Sequence, residues 1–185
     1  MEKEKKRLRL ALAEKAKKLD SKSLRLSDEM IQTYLFALDE WKTARMVFIY
    51  ISRGIEPNTI SIIEEAWRAK KRIAVPQCLS GGIMEAREIT AFHNLVPKRF
   101  GIMEPNESFA LVRPDEIDLV IVPCVAMDVK RHRLGHGGGY YDRYLANINC
   151  STICLCHEAF MLESIPANAL DVRMEIAITG ERIYR

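Results

Sequence analysis

The chain has no apolar run approaching the roughly 20 residues that span a bilayer, and its first residues are charged helix formers with no apolar signal core. Membrane and signal-directed classes are thereby set aside, and a cytoplasmic protein with no membrane partner is expected. No repeat, low-complexity block or Pro/Gly-rich linker divides the 185 residues, so one domain spanning 1–185 is expected. Cysteine is scarce and odd in number, with thiols at 78, 124, 150, 154 and 156. There is no CxxC pair and no His-rich partner set, which leaves little basis for a structural zinc site. Four of the five lie in or beside apolar runs, as reduced buried thiols do, so a disulfide frame is not expected. A strong charge imbalance is missing too: 28 Lys and Arg against 25 Asp and Glu give +3.

That small excess is unevenly placed. Lys3, Lys5, Lys6, Arg7, Arg9, Lys15, Lys17 and Lys18 make the N-terminus basic. A solvated helix face, a nucleic-acid contact and an anion site all fit such a cluster. No aromatic residues interleave with it, which weighs against nucleic acid as a partner. The cluster lies on a helix predicted over 2–18, and Lys5 and Arg9, four residues apart, share one face of it. A second helix is predicted from Ser27 as N-cap, with Met30, Ile31, Leu35, Leu38 and Trp41 at helical spacing.

Residues 46–51 and 118–123 are continuous apolar runs rich in β-branched residues, the pattern of strands buried on both faces of a parallel sheet. Strand 46–51, a helix capped at Asn58 or Thr59, and strand 72–76 make a βαβ unit. Further strands are predicted over 83–89, 152–156 and 174–179, with a long ordered loop over 95–114. The sum is an α/β single-domain layered fold with a central, mostly parallel sheet flanked by helices. In such sheets ligands bind at the C-terminal strand ends, which makes Glu56, just beyond the first strand, a candidate contact.

Glycine is also sparse, yet four of the nine fall within five positions, in Arg133-Leu134-Gly135-His136-Gly137-Gly138-Gly139-Tyr140-Tyr141-Asp142. Such a cluster is either a flexible turn or a place where something approaches the backbone. No Lys-Ser or Lys-Thr follows, so it is not a Walker A loop, and its spacing is not that of a dinucleotide fingerprint. Tyr140, Tyr144, Leu145 and Ile148 predict a helix starting at the loop, whose free N–H groups suit an anion. Arg133 is expected as an exposed loop cation beside that anion, at little consequence for stability, with Asp142 able to hold a divalent cation.

These features together resemble the 5-formyltetrahydrofolate cyclo-ligase (methenyltetrahydrofolate synthetase) family over nearly the whole chain. The resemblance rests on Lys5-x-x-Leu8-Arg9, Ile51-Ser52 with Glu56, Phe100-Gly101-Ile102-x-Glu104-Pro105, Val122-Pro123 with Asp128, and above all Arg133-Leu134-Gly135-x-Gly137-Gly138-Gly139-Tyr140-Tyr141-Asp142. It implies an ATP- and Mg2+-dependent enzyme that cyclises 5-formyltetrahydrofolate to 5,10-methenyltetrahydrofolate with release of ADP and phosphate. Phosphorylation of the formyl oxygen turns a poor leaving group into one that N10 can displace.

Residue by residue, the resemblance assigns Lys5, Arg9 and Arg133 through Tyr141, including Leu134, Gly135 and His136, to ATP. It assigns Ile51, Glu56, His136, Gly137, Gly138, Gly139 and Tyr140 to folate, and Asp142 and Asp171 to metal. Arg133 and Tyr140 are the expected catalytic residues. Gln77, Cys124 and Arg131-His132 depart from the family pattern. Glu175 fits a strand-edge role as well as a metal role. No obligate protein partner is implied.

Overall fold

Helix-forming sequence without Gly or Pro gives α1 (Glu2–Ala16), and a computed structural model describes residues 1–93, 95–98 and 103–185 of the chain. The next helix, α2 (Ser21–Ala37), begins about two turns earlier than a Ser27 cap would set it, because Asp20 is the N-cap and accepts the Ser23 N–H at 2.9 Å. Ser27 therefore lies inside the helix, and its hydroxyl is 2.8 Å from His157 Nδ1. The apolar spacing that suggests one helix through Trp41 is interrupted at Leu38, whose extended ψ of 143° separates α2 from α3 (Asp39–Thr43).

The expected βαβ unit follows as β1 (Met46–Ile49), α4 (Ile60–Arg68) and β2 (Arg72–Cys78). After a turn at 80–82 the chain returns as β3 (Met84–Ile89), antiparallel to β2. The expected long loop over 95–114 carries short strands β4 (Val96–Pro97), β5 (Met103–Glu104) and β6 (Leu111–Val112). The Phe100-Gly101-Ile102 part of the family-like loop lies outside the described residues. Then come β7 (Leu119–Val122), a hairpin of β8 (Ala126–Asp128) and β9 (Arg133–Leu134), and α5 (Tyr140–Leu145). The chain closes with β10 (Ser151–Leu155), β11 (Met161–Leu162), β12 (Ile176–Ile178) and β13 (Ile183–Tyr184).

The main sheet runs β13-β12-β10-β7-β1-β2-β3-β6. Its centre, from β12 to β2, is parallel, and β13, β3 and β6 add antiparallel edges. Both faces are buried, which is why β1 and β7 read as unbroken apolar runs. Val47, Ile49, Leu119, Ile121 and Ile153 pack with α2, α3 and α4 through Ile31, Leu35, Trp41, Ile62 and Ile63. On the other face Phe48, Val120, Val122 and Cys154 meet Leu12 of α1, Leu145 of α5 and Leu134 of β9. Each face follows from the period-2 alternation of strand side chains. The result is the expected helix–sheet–helix layering, with the glycine stretch and α1 on one side of the sheet.

Candidate active site

The C-terminal ends of β1, β7 and β10 open into a cleft of about 310 Å³, roofed by Arg9, Leu12 and Ala16 of α1. Glu56 and His136 stand in its wall, with Cys124, Cys156 and His157 among the other lining residues. Three segments remote in sequence converge there. Glu56 reaches it from the loop after β1, where its Oε2 accepts the Arg53 N–H at 2.9 Å and its Oε1 lies 2.9 Å from His136 Nε2. This carboxylate is thus held by its own loop and by the glycine stretch.

The glycine stretch does lead into a helix. Gly139, the N-cap of α5, has φ +65°, a left-handed conformation that side chains resist. Gly137 has φ +97°, and a Cβ there would meet the Arg9 guanidinium at 3.3 Å. Arg9 is drawn in because its Nε donates to the Gly135 carbonyl at 2.8 Å. Helix α1 and the glycine stretch are thereby joined across 126 residues of sequence.

Beside this contact, four charged side chains form one cluster. Lys5 Nζ donates to both oxygens of Asp171 at 2.6 and 2.7 Å, and Arg133 Nη2 donates to Asp142 Oδ1 at 2.6 Å. Asp142 Oδ1 also accepts the Val172 N–H at 3.2 Å, which couples the two pairs. Burial pushes the Asp171 carboxyl upward, but the Lys5 ammonium, the Asn168 N–H and the Arg133 charge together hold it below the ordinary carboxylate range. The expectation of an exposed Arg133 is corrected here. It lies on β9, is only 7% exposed, and places its guanidinium 5.7 Å from the Tyr141 ring centroid. The sequence offered no apolar run to mark so short a strand. Arg133 Nε is buried without a hydrogen-bond acceptor, an orphan donor beside the glycine stretch.

A buried carboxylate that sequence reasoning left without a role organises this cluster. Asp128, 1% exposed, accepts the N–H groups of Lys130, His132 and Ile165 at 2.9, 2.8 and 2.9 Å. It fixes the turn that delivers Arg133, although Arg131 within that turn takes a left-handed φ of +67°. The Ile165 bond anchors the segment that goes on to Asp171.

Some predicted residues stand apart from the cleft. The Tyr140 hydroxyl donates to the Leu79 carbonyl at 3.3 Å, and the Arg143 guanidinium lies 5.6 Å from its ring centroid, so it borders the turn at 80–82. Arg143, absent from the sequence reading, ties that turn to the glycine stretch by donating to Gly82 O at 2.9 Å and Gly138 O at 2.6 Å. Ile51 packs against the core on the α2–α4 face, and Leu134 is fully buried on the opposite face. Tyr141 is half-buried with an unpartnered hydroxyl, and burial pushes that phenol well above its ordinary range.

His157 is a further residue that composition could not flag. Burial pushes it down to about 4, so the imidazole is neutral at pH 7, and it hydrogen-bonds the backbone at Ile55 next to Glu56. Gln77, one of the departures from the family pattern, is buried, and its Oε1 accepts from Arg87 Nε at 2.9 Å.

Comparison with known proteins places the chain in a family. The model of the 5-formyltetrahydrofolate cyclo-ligase family matches residues 1–180. A probable 5-formyltetrahydrofolate cyclo-ligase of Schizosaccharomyces pombe is 30% identical over 90% of this chain and 88% of its own. The 5-formyltetrahydrofolate cyclo-ligase of Escherichia coli K12 is 31% identical over 76% of this chain and 81% of its own. The solved structure of Aquifex aeolicus 5,10-methenyltetrahydrofolate synthetase superposes with a TM-score of 0.85 at 28% identity, covering 98% of this chain and 92% of that one. With the family model spanning nearly every residue and the fold shared end to end, the chain belongs to the 5-formyltetrahydrofolate cyclo-ligase family of enzymes.

Proposed function

We propose that this enzyme converts 5-formyltetrahydrofolate and ATP to 5,10-methenyltetrahydrofolate, ADP and phosphate in the cleft under α1. The observation that carries the reading is the charged cluster. Two cations remote in sequence, Lys5 and Arg133, meet beside the glycine stretch, and Arg133 retains an orphan buried N–H. A triphosphate supplies acceptors for all of these donors, and charge-assisted bonds to phosphate are the strong kind. Arg9, already on the Gly135 carbonyl, lines the adjoining cleft and adds a third cation.

On the other side, Glu56 offers a carboxylate to the amino and ring N–H groups of a pterin. His136 holds it at 2.9 Å and yields it to the substrate, so the glycine stretch forms the wall between nucleotide and folate. Position and charge stabilisation are what phosphoryl transfer demands of a protein, and this site is made of both. Arg133 stabilises negative charge on the transferring phosphoryl group. N10 then attacks the activated formyl carbon and phosphate departs. Tyr140, from the far side of the loop, keeps the glycine backbone against the turn at 80–82 and steadies the phosphate-binding N–H groups.

The carboxylates of Asp142 and Asp171 fit a magnesium ion. That ion keeps several waters and needs only one or two protein carboxylates beside phosphate oxygens. Among the described residues no three His, Cys, Asp or Glu side chains gather into an all-protein metal site. Bound there with ATP, magnesium would neutralise phosphate charge. Lys5 and Arg133 would turn from the carboxylates to the phosphates.

Purified protein given ATP, Mg2+ and 5-formyltetrahydrofolate is expected to generate the near-ultraviolet absorbance of the methenyl product with matching release of ADP. Folded protein that forms neither product contradicts the reading. ATP hydrolysis stimulated only by a non-folate acceptor would assign the same site to another substrate.

A further inference from the structure

Three thiols gather at and beneath the wall of the cleft, and the chemistry above uses none of them. Parallel pairing sets Val122 opposite Cys154, and continuing that register sets Cys124 opposite Cys156. All three sulfurs lie on the same face of the sheet, in the core cluster beneath α1. The Cys124 thiol reaches across to the end of β10, where it donates to the Leu155 carbonyl at 3.4 Å, between the two other cysteines. Neighbouring strands run about 4.8 Å apart, inside the Cα separation of about 4.4–6.8 Å that a disulfide spans. Cys124 and Cys156 both line the 310 Å³ cleft, whereas Cys154 lies deeper and fully buried. A small oxidant entering the cleft therefore meets the Cys124–Cys156 pair.

We propose that Cys124 and Cys156 form an oxidation site in the substrate cleft, at which hydrogen peroxide oxidises Cys124 and Cys156 resolves it to a reversible disulfide. In the first step the Cys124 sulfur attacks one peroxide oxygen, the O–O bond breaks, and a sulfenic acid and water result. In the second, the Cys156 sulfur attacks the Cys124 sulfur, the S–S bond forms, the S–O bond breaks and a second water leaves. Two thiols are oxidised by two electrons and one peroxide is reduced to two waters.

The surroundings favour Cys124 as the first thiol to react. The neighbouring Cys154 and Cys156 side chains and the nearby Arg133 charge together outweigh burial and draw it well below the ordinary thiol range. Thiolate, the reactive form, is favoured by such a setting. Cys78 and Cys150 differ: burial and nearby carboxylates push them up to about 12 and about 11.

A disulfide pulls Cys124 toward β10, and the next residue transmits the shift. The Val125 N–H donates to the Leu134 carbonyl at 2.7 Å, so displacement of 124–125 moves β9 and its Arg133. The activity consequence rests on the proposed function, but the thiol chemistry does not. Treating reduced full-length protein with hydrogen peroxide, alkylating the remaining thiols and mapping peptides by mass spectrometry tests it directly. A Cys124–Cys156 linked peptide is expected, with a loss of turnover of at least about tenfold, as misplacement of a charge by a fraction of an ångström can produce. Dithiothreitol should restore the activity. In Cys156→Ser the sulfenic acid at Cys124 should persist and be captured by dimedone.

A Cys124–Cys154 link, oxidation confined to Cys78 or Cys150, or an unmodified Cys124 overturns the proposal. If the protein turns over no 5-formyltetrahydrofolate, the linked peptide still decides the thiol chemistry.

Discussion

Arg133 shows how one buried side chain can be held by its partners and still keep a donor free. Its guanidinium is nearly buried, paired with Asp142 and set over the Tyr141 ring, while its Nε has no acceptor. Removing Asp142 leaves that buried cation unpaired, so Asp142→Ala should destabilise the fold by up to about 3 kcal/mol, the cost expected when one partner of a buried pair is lost. Thermal or urea unfolding measures it. The same variant should require more Mg2+ for half-maximal activity. Arg133→Ala should lower kcat by at least about a hundredfold if its charge acts on the transferring phosphoryl group. An unchanged kcat would place the arginine in a structural role only. Glu56→Gln tests the proposed folate side: the KM for 5-formyltetrahydrofolate should rise about tenfold or more, the worth of a charge-assisted hydrogen bond, while the KM for ATP barely moves.

At the scale of elements, the site depends on α1 lying over the strand ends. Two of its residues hold it there, Lys5 on Asp171 and Arg9 on Gly135, one turn apart on one face of the helix. Lys5→Met keeps the aliphatic stem and removes the charge. It should raise the KM for ATP about tenfold with little change in the folate KM. Equal effects on both substrates would mean that α1 merely covers the cleft. The pairing of α1 with the glycine stretch was legible because Lys5 and Arg9 stand four apart and the family resemblance assigns both to ATP. The β8–β9 hairpin was not legible. Its strands are two and three residues long, and what holds it is Asp128 bonding to backbone N–H groups, an interaction that leaves no periodic trace. The start of α2 was misplaced for a related reason: Ser27 and Asp20 are both good caps, and only the Ser23 contact distinguishes them.

For the whole molecule, the central strands were legible because burial on both faces writes an unbroken apolar run. Of the cleft wall, Arg9, Glu56 and His136 were expected from the family resemblance, whereas His157, which shares no spacing with them, was not. His157 connects the site to global stability. Its folded-state value is lowered to about 4 by burial, from 6.5 when unfolded, so the unfolded chain binds the extra proton first. Its contribution is fully present above pH ~6.5 and is lost as pH falls toward ~4, with a slope of about one proton in unfolding. Urea unfolding across that range should show the slope, and His157→Gln should flatten it. A parallel pH profile in the variant would assign the acid sensitivity to other groups.

The central claim is that the cleft activates the formyl oxygen by transferring phosphate to it. Substrate labelled with 18O in the formyl group tests this in a single turnover, with the released phosphate analysed by mass spectrometry. The account predicts that the label appears in inorganic phosphate in step with methenyl formation. Label recovered in water, with unlabelled phosphate, would contradict it.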